Sequence, residues 1–191
     1  YQPGGSVPEG KHQPAPREWT TADVDAAVSM TMEKIYSPVP TTNGTAPEEC
    51  NYIHYLRFRP KGSSEKVSDA DAVIVLQPGF VGGADSLEPV SRMMVYMALK
   101  QRGKRIEVLV MDRRNNNLED LTGMIAAQNA HDTQVAIDYY CNGSEIDGRK
   151  FAGFLIDSDV PYMSEFGLEL AVKDVYKVIT TNVPDPAMRK Q

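Results

Sequence analysis

The chain has 191 residues, of which 41% are hydrophobic and 24% are charged, a composition typical of a globular domain. The net charge is −6, and no basic stripe interleaved with aromatic residues occurs, so no nucleic-acid partner is predicted. No run of about 18 apolar residues occurs either, and no membrane span is predicted.

Residues 1–19 are predicted to form an extended or mobile tail, because the segment is rich in Pro and Gly. The chain begins at Tyr1 rather than Met, and a leader removed before such a segment suits an exported protein. We therefore expect a secreted or periplasmic location. In that setting Cys50 and Cys141 either form a disulfide or remain isolated thiols, and the sequence leaves both open because it does not give their Cα separation.

The body of the chain, residues 20–191, is predicted to alternate between helices and strands. A first helix follows an N-cap at Thr20 or Thr21 and ends at Pro38, because apolar residues recur at helical spacing. The later elements are predicted as strands at 51–59, 72–76 and 106–111, helices at 86–102, 119–129, 132–141 and 164–179, and an irregular stretch at 144–162. The last helix is predicted to bury Leu168, Val172, Val175 and Ile179.

Ala72–Leu76 is a continuous apolar run, and Ile106–Met111 is a second strand of the buried type. Such runs are typical of strands that are covered on both faces. With the helix between them they predict a right-handed βαβ unit with parallel strands. The predicted fold class is α/β, with a mostly parallel sheet and flanking helices.

A glycine cluster, Pro78-Gly79-Phe80-Val81-Gly82-Gly83, follows the first of these strands directly. Open α/β sheets bind ligands at the carboxyl ends of their strands. Glycines permit positive φ and let backbone N–H groups point at an anion, which is either a developing oxyanion or a phosphate. A strand-to-helix turn that binds no ligand is the alternative.

This loop resembles the loop after strand three of α/β-hydrolases, commonly His-Gly-Phe/Gly followed by Gly, although Pro78 stands where the family often has histidine. The order of the elements is also similar over residues 51–129, including Asp112-Arg113-Arg114 after the next strand. The resemblance implies a serine hydrolase that cleaves an ester or an amide without a cofactor or metal. It makes the backbone N–H of Phe80 an oxyanion-hole donor and gives Gly79 a role in the loop geometry.

The serine nucleophile of that family is missing from this sequence. The family carries it in G-x-S-x-G, followed by an acid and a histidine, and no such motif occurs here. None of His12, His54 and His131 is expected to be catalytic. We therefore expect an incomplete α/β-hydrolase fold, completed by a second polypeptide of a cleaved precursor that supplies strand five, the serine, the acid and the histidine. Such a half-sheet is expected to expose the edge of the 106–111 strand.

The stretch 144–163 is predicted to form a lid or insertion over the pocket, or a loop that packs on its own core. Its apolar residues suit the lining of an acyl or aromatic site. The candidate substrate-binding residues are Val81, Phe151, Phe154 and Tyr162.

Two other functions fit parts of the pattern. In a nucleotide-binding α/β domain, Asp112 would bond a ribose, and Arg113 and Arg114 would meet a 2′-phosphate. The glycines do not form G-x-G-x-x-G, however, and Asp112 lies further along the chain than the roughly 20 residues expected. The third interpretation is a non-catalytic hydrolase-like module that binds a ligand or a protein.

Overall fold

The computed structural model describes residues 19–79 and 82–190, in which a four-stranded mixed sheet lies between helices. The predicted tail falls outside these ranges except for its last residue. The strands of the sheet are β1 (Val28–Tyr36), β2 (Tyr52–Pro60), β3 (Ala72–Leu76) and β4 (Ile106–Met111). The helices are α1 (Thr21–Ala27), α2 (Glu88–Arg102), α3 (Thr122–Ala130), α4 (Gln134–Cys141) and α5 (Leu168–Asn182). A two-stranded hairpin, β5 (Glu145–Ile146) and β6 (Arg149–Lys150), follows α4.

The α/β class and the βαβ unit are confirmed, but the prediction of a mostly parallel sheet is wrong. The strand order is β1-β2-β4-β3, and of the described pairings only β3–β4 is parallel. Parallel neighbours need a crossover, usually a helix. Among the described strands, α2 provides such a crossover between β3 and β4, whereas β1 and β2 are joined by a loop and pair antiparallel.

The predicted first helix is correct at its start and wrong after Ala27. Thr20 caps α1 through a capping box, in which its hydroxyl accepts from the Asp23 N–H and Asp23 accepts from the Thr20 N–H. From Val28 onward the chain is β1, which pairs with β2 along nine residues. Apolar residues at Val28 and Met32 fit a helix, but Met30 between them completes an alternation with period two, and the pairing with β2 selects the strand.

β1 and β3 are the two edge strands of the sheet, and the expectation that the 106–111 strand exposes an edge is wrong. β4 lies between β2 and β3, and five of its six residues are buried. Within the described residues, β3 pairs only with β4, and none of its residues is fully buried. Alternate N–H and C=O groups of an edge strand point away from the sheet, so β3 has the groups needed to accept a further strand.

Two layers of helices enclose the sheet. On one face α1 and α2 cover a core of Val24, Val28, Leu56, Phe58, Ala84, Val95, Tyr96, Val108 and Val110, against which the α2 methionines pack. On the other face α5 covers Ile53, Tyr55, Leu109, Met111 and Val178. β2 therefore places Leu56 and Phe58 in the first core and Ile53 and Tyr55 in the second.

The buried face of α5 differs from the predicted one. Leu170, Asp174 and Val178 point inward. Leu168 and Val172, which were predicted to be buried, are 81% and 59% exposed, and Tyr176 on the same side is 67% exposed. These three residues, spaced four apart, form an apolar stripe that we call the α5 stripe.

A buried ion pair holds α5 against the sheet. Nε and Nη2 of Arg114 each donate to an Asp174 carboxylate oxygen at 2.7 Å. Nη1 of Arg114 donates to the carbonyl oxygens of Ser37 at 2.7 Å and Cys50 at 2.5 Å. One side chain thus joins the end of β4, α5 and the segment between β1 and β2. We call this arrangement the Arg114 clamp.

The two cysteines are not paired. Cys50 is fully buried beside the Arg114 clamp, where burial raises the pKa of its thiol, and Cys141 is exposed at the end of α4. The open question of a disulfide is therefore answered for this structure. None of the described helices has both the length and the apolar character needed to cross a membrane.

We expect Asp174→Ala to lower the free energy of unfolding by about 3–5 kcal/mol, because it leaves the buried Arg114 guanidinium without its counter-charge. Urea denaturation followed by circular dichroism measures the change. The matched control is Glu169→Ala on the same helix, which removes an exposed pair with Lys173 and should leave the urea midpoint unchanged. Equal urea midpoints for the two variants would show that the Arg114–Asp174 ion pair does not stabilise the fold more than the exposed pair does.

Candidate functional site

The candidate site lies at the carboxyl ends of β3 and β4, where open α/β sheets bind their ligands. A groove of about 420 Å³ lies there between the strand ends and the start of α5. We call it the strand-end groove; it is lined by Gln77, Met111, Asp112, Arg113, Arg114, Asn115, Phe166, Gly167, Leu168, Leu170, Ala171 and Asp174. Phe80 and Val81, predicted as an oxyanion donor and a substrate contact, lie outside the described residues.

Glycine was expected in this loop because it permits positive φ, but none of the described loop glycines has a positive φ. Gly79, Gly82 and Gly83 all lie outside the left-handed region. A Cβ on Gly82 would lie 2.8 Å from Oγ of Ser86, and one on Gly83 would lie 2.7 Å from Oδ1 of Asp85. A Cβ on Gly82 or Gly83 would therefore require a neighbouring side chain to move, whereas a Cβ on Gly79 would meet none of the described atoms within 4 Å.

Ser86 is oriented back into the loop. Its hydroxyl donates to the carbonyl oxygen of Gly83 at 2.7 Å, within a short 3-10 helix that precedes α2. Ser86 does not cap α2, because the N-cap of that helix is Leu87, which makes no side-chain capping bond. The bond fixes the second half of the glycine loop.

Asp112 is tied into the turn that follows β4. Its Oδ1 accepts from the backbone N–H of Arg113 at 2.9 Å and from Nδ2 of Asn116 at 2.6 Å. A Cβ on Gly83 would lie 3.2 Å from that same Nδ2. Asp112 and Asn116 therefore hold the turn after β4 in place next to the glycine loop after β3.

The carboxylates around this site raise the local negative potential. Glu119 follows the Asn run, and the pKa of its carboxyl is raised by partial burial first and then by the charges of Asp112 and Asp85. Like charges around Glu119 disfavour any further anion there, whether a bound phosphate or a developing oxyanion.

A second groove, of about 430 Å³, adjoins the first at Asn115, which lines both. We call it the aromatic groove; it is lined by Asn115, Leu118, Glu119, Asp120, Leu121, Met124, Tyr140, Phe151, Gly153, Phe154, Leu155 and Met163. Two of the predicted substrate contacts, Phe151 and Phe154, line it. The third, Tyr162, lies elsewhere, in a buried cluster with Val39 and Cys50.

The described histidines occupy structural positions. Nδ1 of His54, on β2, lies 2.8 Å from Oδ1 of Asn117. His131 ends α3 in the left-handed conformation, with φ of 52°. His12 lies outside the described residues. Neither His54 nor His131 was expected to be catalytic.

Sequence reasoning missed two contributors to the site. Asn116 and Tyr140 were not singled out, although Asn116 connects the two loops and Tyr140 lines the aromatic groove. The signal for Asn116 was the polar run Asn115-Asn116-Asn117 directly after a buried strand. No signal in the sequence identified Tyr140, because its ring contacts Phe151 only through the β5–β6 hairpin that follows α4.

Comparison with protein-family models, curated proteins and solved structures gives no match to this chain. Across the described ranges, no group of three or more His, Cys, Asp or Glu side chains is arranged to hold a metal ion. The case for a function therefore rests on the geometry of the two grooves and of the sheet edge.

We expect Gly83→Ala to disturb the link between the two loops and to destabilise the fold by about 1 kcal/mol, because its Cβ crowds Asn116 and Asp85. The amide resonance of Arg113, which bonds Asp112, reports the change. Gly79→Ala is the matched control and should leave both the resonance and the urea midpoint unchanged. A larger effect at Gly79 than at Gly83 would refute this account of the loop.

Hydrogen bonds from Thr122 first, and then from the Tyr139 hydroxyl at 2.7 Å, lower the pKa of Asp120 to about 2. A carboxyl with a lowered pKa adds stability above its ordinary value of 3.8, and this stability is lost as the pH falls from there towards about 2. We expect Tyr139→Phe to raise the pKa of Asp120, as measured by NMR titration of its carboxyl carbon. Tyr140→Phe, which removes a donor to the Asp120 main-chain oxygen, should leave that pKa low.

Proposed function

We propose that this chain is the part of a serine hydrolase that supplies the oxyanion loop, while a separate polypeptide carries the serine, the acid and the histidine. The substrate is an ester or an amide. The backbone N–H of Phe80 donates to the oxyanion, and Gly79 allows the loop to reach it. An exported location belongs to the same proposal.

The observation that carries the proposal is the open edge of β3 beside the glycine loop. A strand added parallel to β3 would end on the same side of the sheet as β3 and β4, because the carboxyl ends of parallel strands meet at one edge. A turn after such a strand would lie next to Gly79 and Gly82. That is the place from which a serine could attack a carbonyl whose oxygen faces the loop.

The surfaces near this edge support the same arrangement. A groove of about 370 Å³ runs along β3 and the end of α5, with Val73, Val75 and Ile179 among its lining residues. The α5 stripe adds exposed apolar area on the outer side of that helix. Exposed apolar patches next to an unpaired strand are typical of surfaces that another segment covers.

In the proposed mechanism this chain supplies the electrophilic side of the reaction. The serine attacks the carbonyl, the histidine accepts the serine proton, and negative charge develops on the carbonyl oxygen. Backbone N–H groups at Phe80 stabilise that charge more than they stabilise the neutral substrate, so the barrier falls.

No observation favours the nucleotide-binding alternative. Arg114, assigned there to a 2′-phosphate, is buried and fully committed to Asp174 and two carbonyl oxygens. Oδ1 of Asp112 is already bonded within its own turn. The non-catalytic module stays a prediction, which inertness toward model esters in the presence of the partner polypeptide would favour.

We expect Phe80→Pro to lower kcat for a model ester by about 10²–10³-fold with little change in KM, because proline removes the N–H that binds the oxyanion. Phe80→Ala keeps the N–H and is the matched control, so its kcat should stay within about tenfold of the parent value. Both variants are assayed in the protein as purified with its co-purifying polypeptides. Equal losses in the two variants would assign the effect to the side chain and reject the donor.

A fluorophosphonate probe locates the nucleophile in the same material. We expect mass spectrometry to find the labelled serine on a peptide outside Tyr1–Gln191. A labelled serine within the chain, such as Ser86, would reject the division of the catalytic residues. The absence of both labelling and ester hydrolysis would reject the serine hydrolase itself.

A further inference from the structure

The aromatic groove combines ring faces with negative charge. Its rings form a ladder of edge-to-face contacts that starts from Tyr139 behind the groove. Centroids are 5.0 Å apart for Tyr139–Tyr140, 5.1 Å for Tyr140–Phe151 and 5.0 Å for Phe151–Phe154, with interplanar angles of 82°, 84° and 75°. The last ring, Phe154, is 82% exposed. The ladder therefore ends on a ring whose faces are open to a ligand, and the face of an aromatic ring is its negative side.

Two carboxylates line the same groove. Asp120 remains ionised at neutral pH, because hydrogen bonds from Thr122 and Tyr139 stabilise its charged form. Glu119 lies beside it and experiences the like charges of Asp112 and Asp85. A positive charge in the groove would offset that repulsion.

The described cation whose charge reaches Asp120 is Arg149, on β6. Arg149 does not line the groove, and neither Lys nor Arg is among the described residues that do. The charge within the groove is therefore negative, while its walls are apolar and aromatic. This combination is complementary to an apolar cation rather than to a fatty acyl chain or an anion.

We propose that the aromatic groove binds an organic cation, an amine or quaternary ammonium group that carries an apolar or aromatic substituent. The ring faces of Phe154 and its neighbours contact the cation, and Glu119 and Asp120 supply the counter-charge. Because the groove adjoins the strand-end groove at Asn115, such a cation can belong to the non-reacting part of a substrate. That last assignment rests on the proposed hydrolase function, whereas the binding itself does not.

The test compares three small aromatic probes of different charge, benzyltrimethylammonium, benzyl alcohol and phenylacetate. Each is titrated into the chain as purified, with any co-purifying polypeptide, while NMR follows the Gly153 amide and the methyl groups of Met124 and Met163. We expect the cation to bind with a dissociation constant on the order of 1 mM. It should bind about tenfold more tightly than phenylacetate, with the alcohol between them.

Two variants separate the ring from the charge. Phe154→Ala should weaken binding of the cation about fivefold, and Glu119→Gln should reduce the preference for cation over anion to about threefold. The matched controls on α5 are Tyr176→Ala and Glu169→Gln, which change an exposed aromatic ring and an exposed carboxylate away from the groove. Both controls should bind the cation as the parent chain does.

Equal affinities for the three probes would overturn the proposal, as would chemical-shift changes that avoid the groove. Equal weakening by the α5 controls would overturn it too, because the effect would then be non-specific. Binding needs no turnover, so its failure is separate from that of the hydrolase. Cation binding without fluorophosphonate labelling would keep this site and reject the reaction, and the reverse result would keep the reaction and reject this site.

Discussion

The interaction on which the rest of the structure depends is the Arg114 clamp. A buried guanidinium is stable only when its donors are paired, and here Asp174 and two main-chain oxygens pair them. Because Asp174 must point inward, α5 is rotated so that Leu168 and Val172 point outward. The same bond places the start of α5 against the end of β4. The strand-end groove and the exposed α5 stripe therefore both follow from a single ion pair.

The open edge of β3 lies on the side of the sheet that is next to the glycine loop. β4 is the buried inner strand, and β3 is a partly buried edge strand. A further strand could therefore pair with β3 without disturbing the core. A strand added beside β3 would lie near the glycine loop, whereas a strand added beside β1 would lie at the opposite edge of the sheet. The core is thus formed by β2, β4 and the two helix layers, whereas the strand-end groove lies where β3 and β4 end.

Elements that depend on neighbouring residues were predicted correctly from the sequence. Elements that depend on contacts with residues distant in the chain were not. Ala72–Leu76 and Ile106–Met111 were correct residue for residue, because each is a short, mostly apolar stretch between polar turns. Val28–Tyr36 was assigned to a helix, because only its pairing with β2 selects the strand. The face of α5 was wrong because the decisive partner of Asp174 lies 60 residues away. The position of the glycine loop after β3 was predicted from the sequence, but the close approach of Asn116 to its last glycine was not.

The strand order also determines when this sheet can form. β2 and β3 are not neighbours, and β4, which follows both in the chain, lies between them. During synthesis β1 and β2 can pair as soon as they emerge, but β3 has no strand to join until Met111 has left the ribosome. Completion of the sheet is therefore an insertion, in which a late segment enters between two early ones and closes contacts that are distant in the chain. Contacts between segments that are distant in the chain form slowly. We therefore expect the chain to be most prone to aggregation before β4 has inserted between β2 and β3.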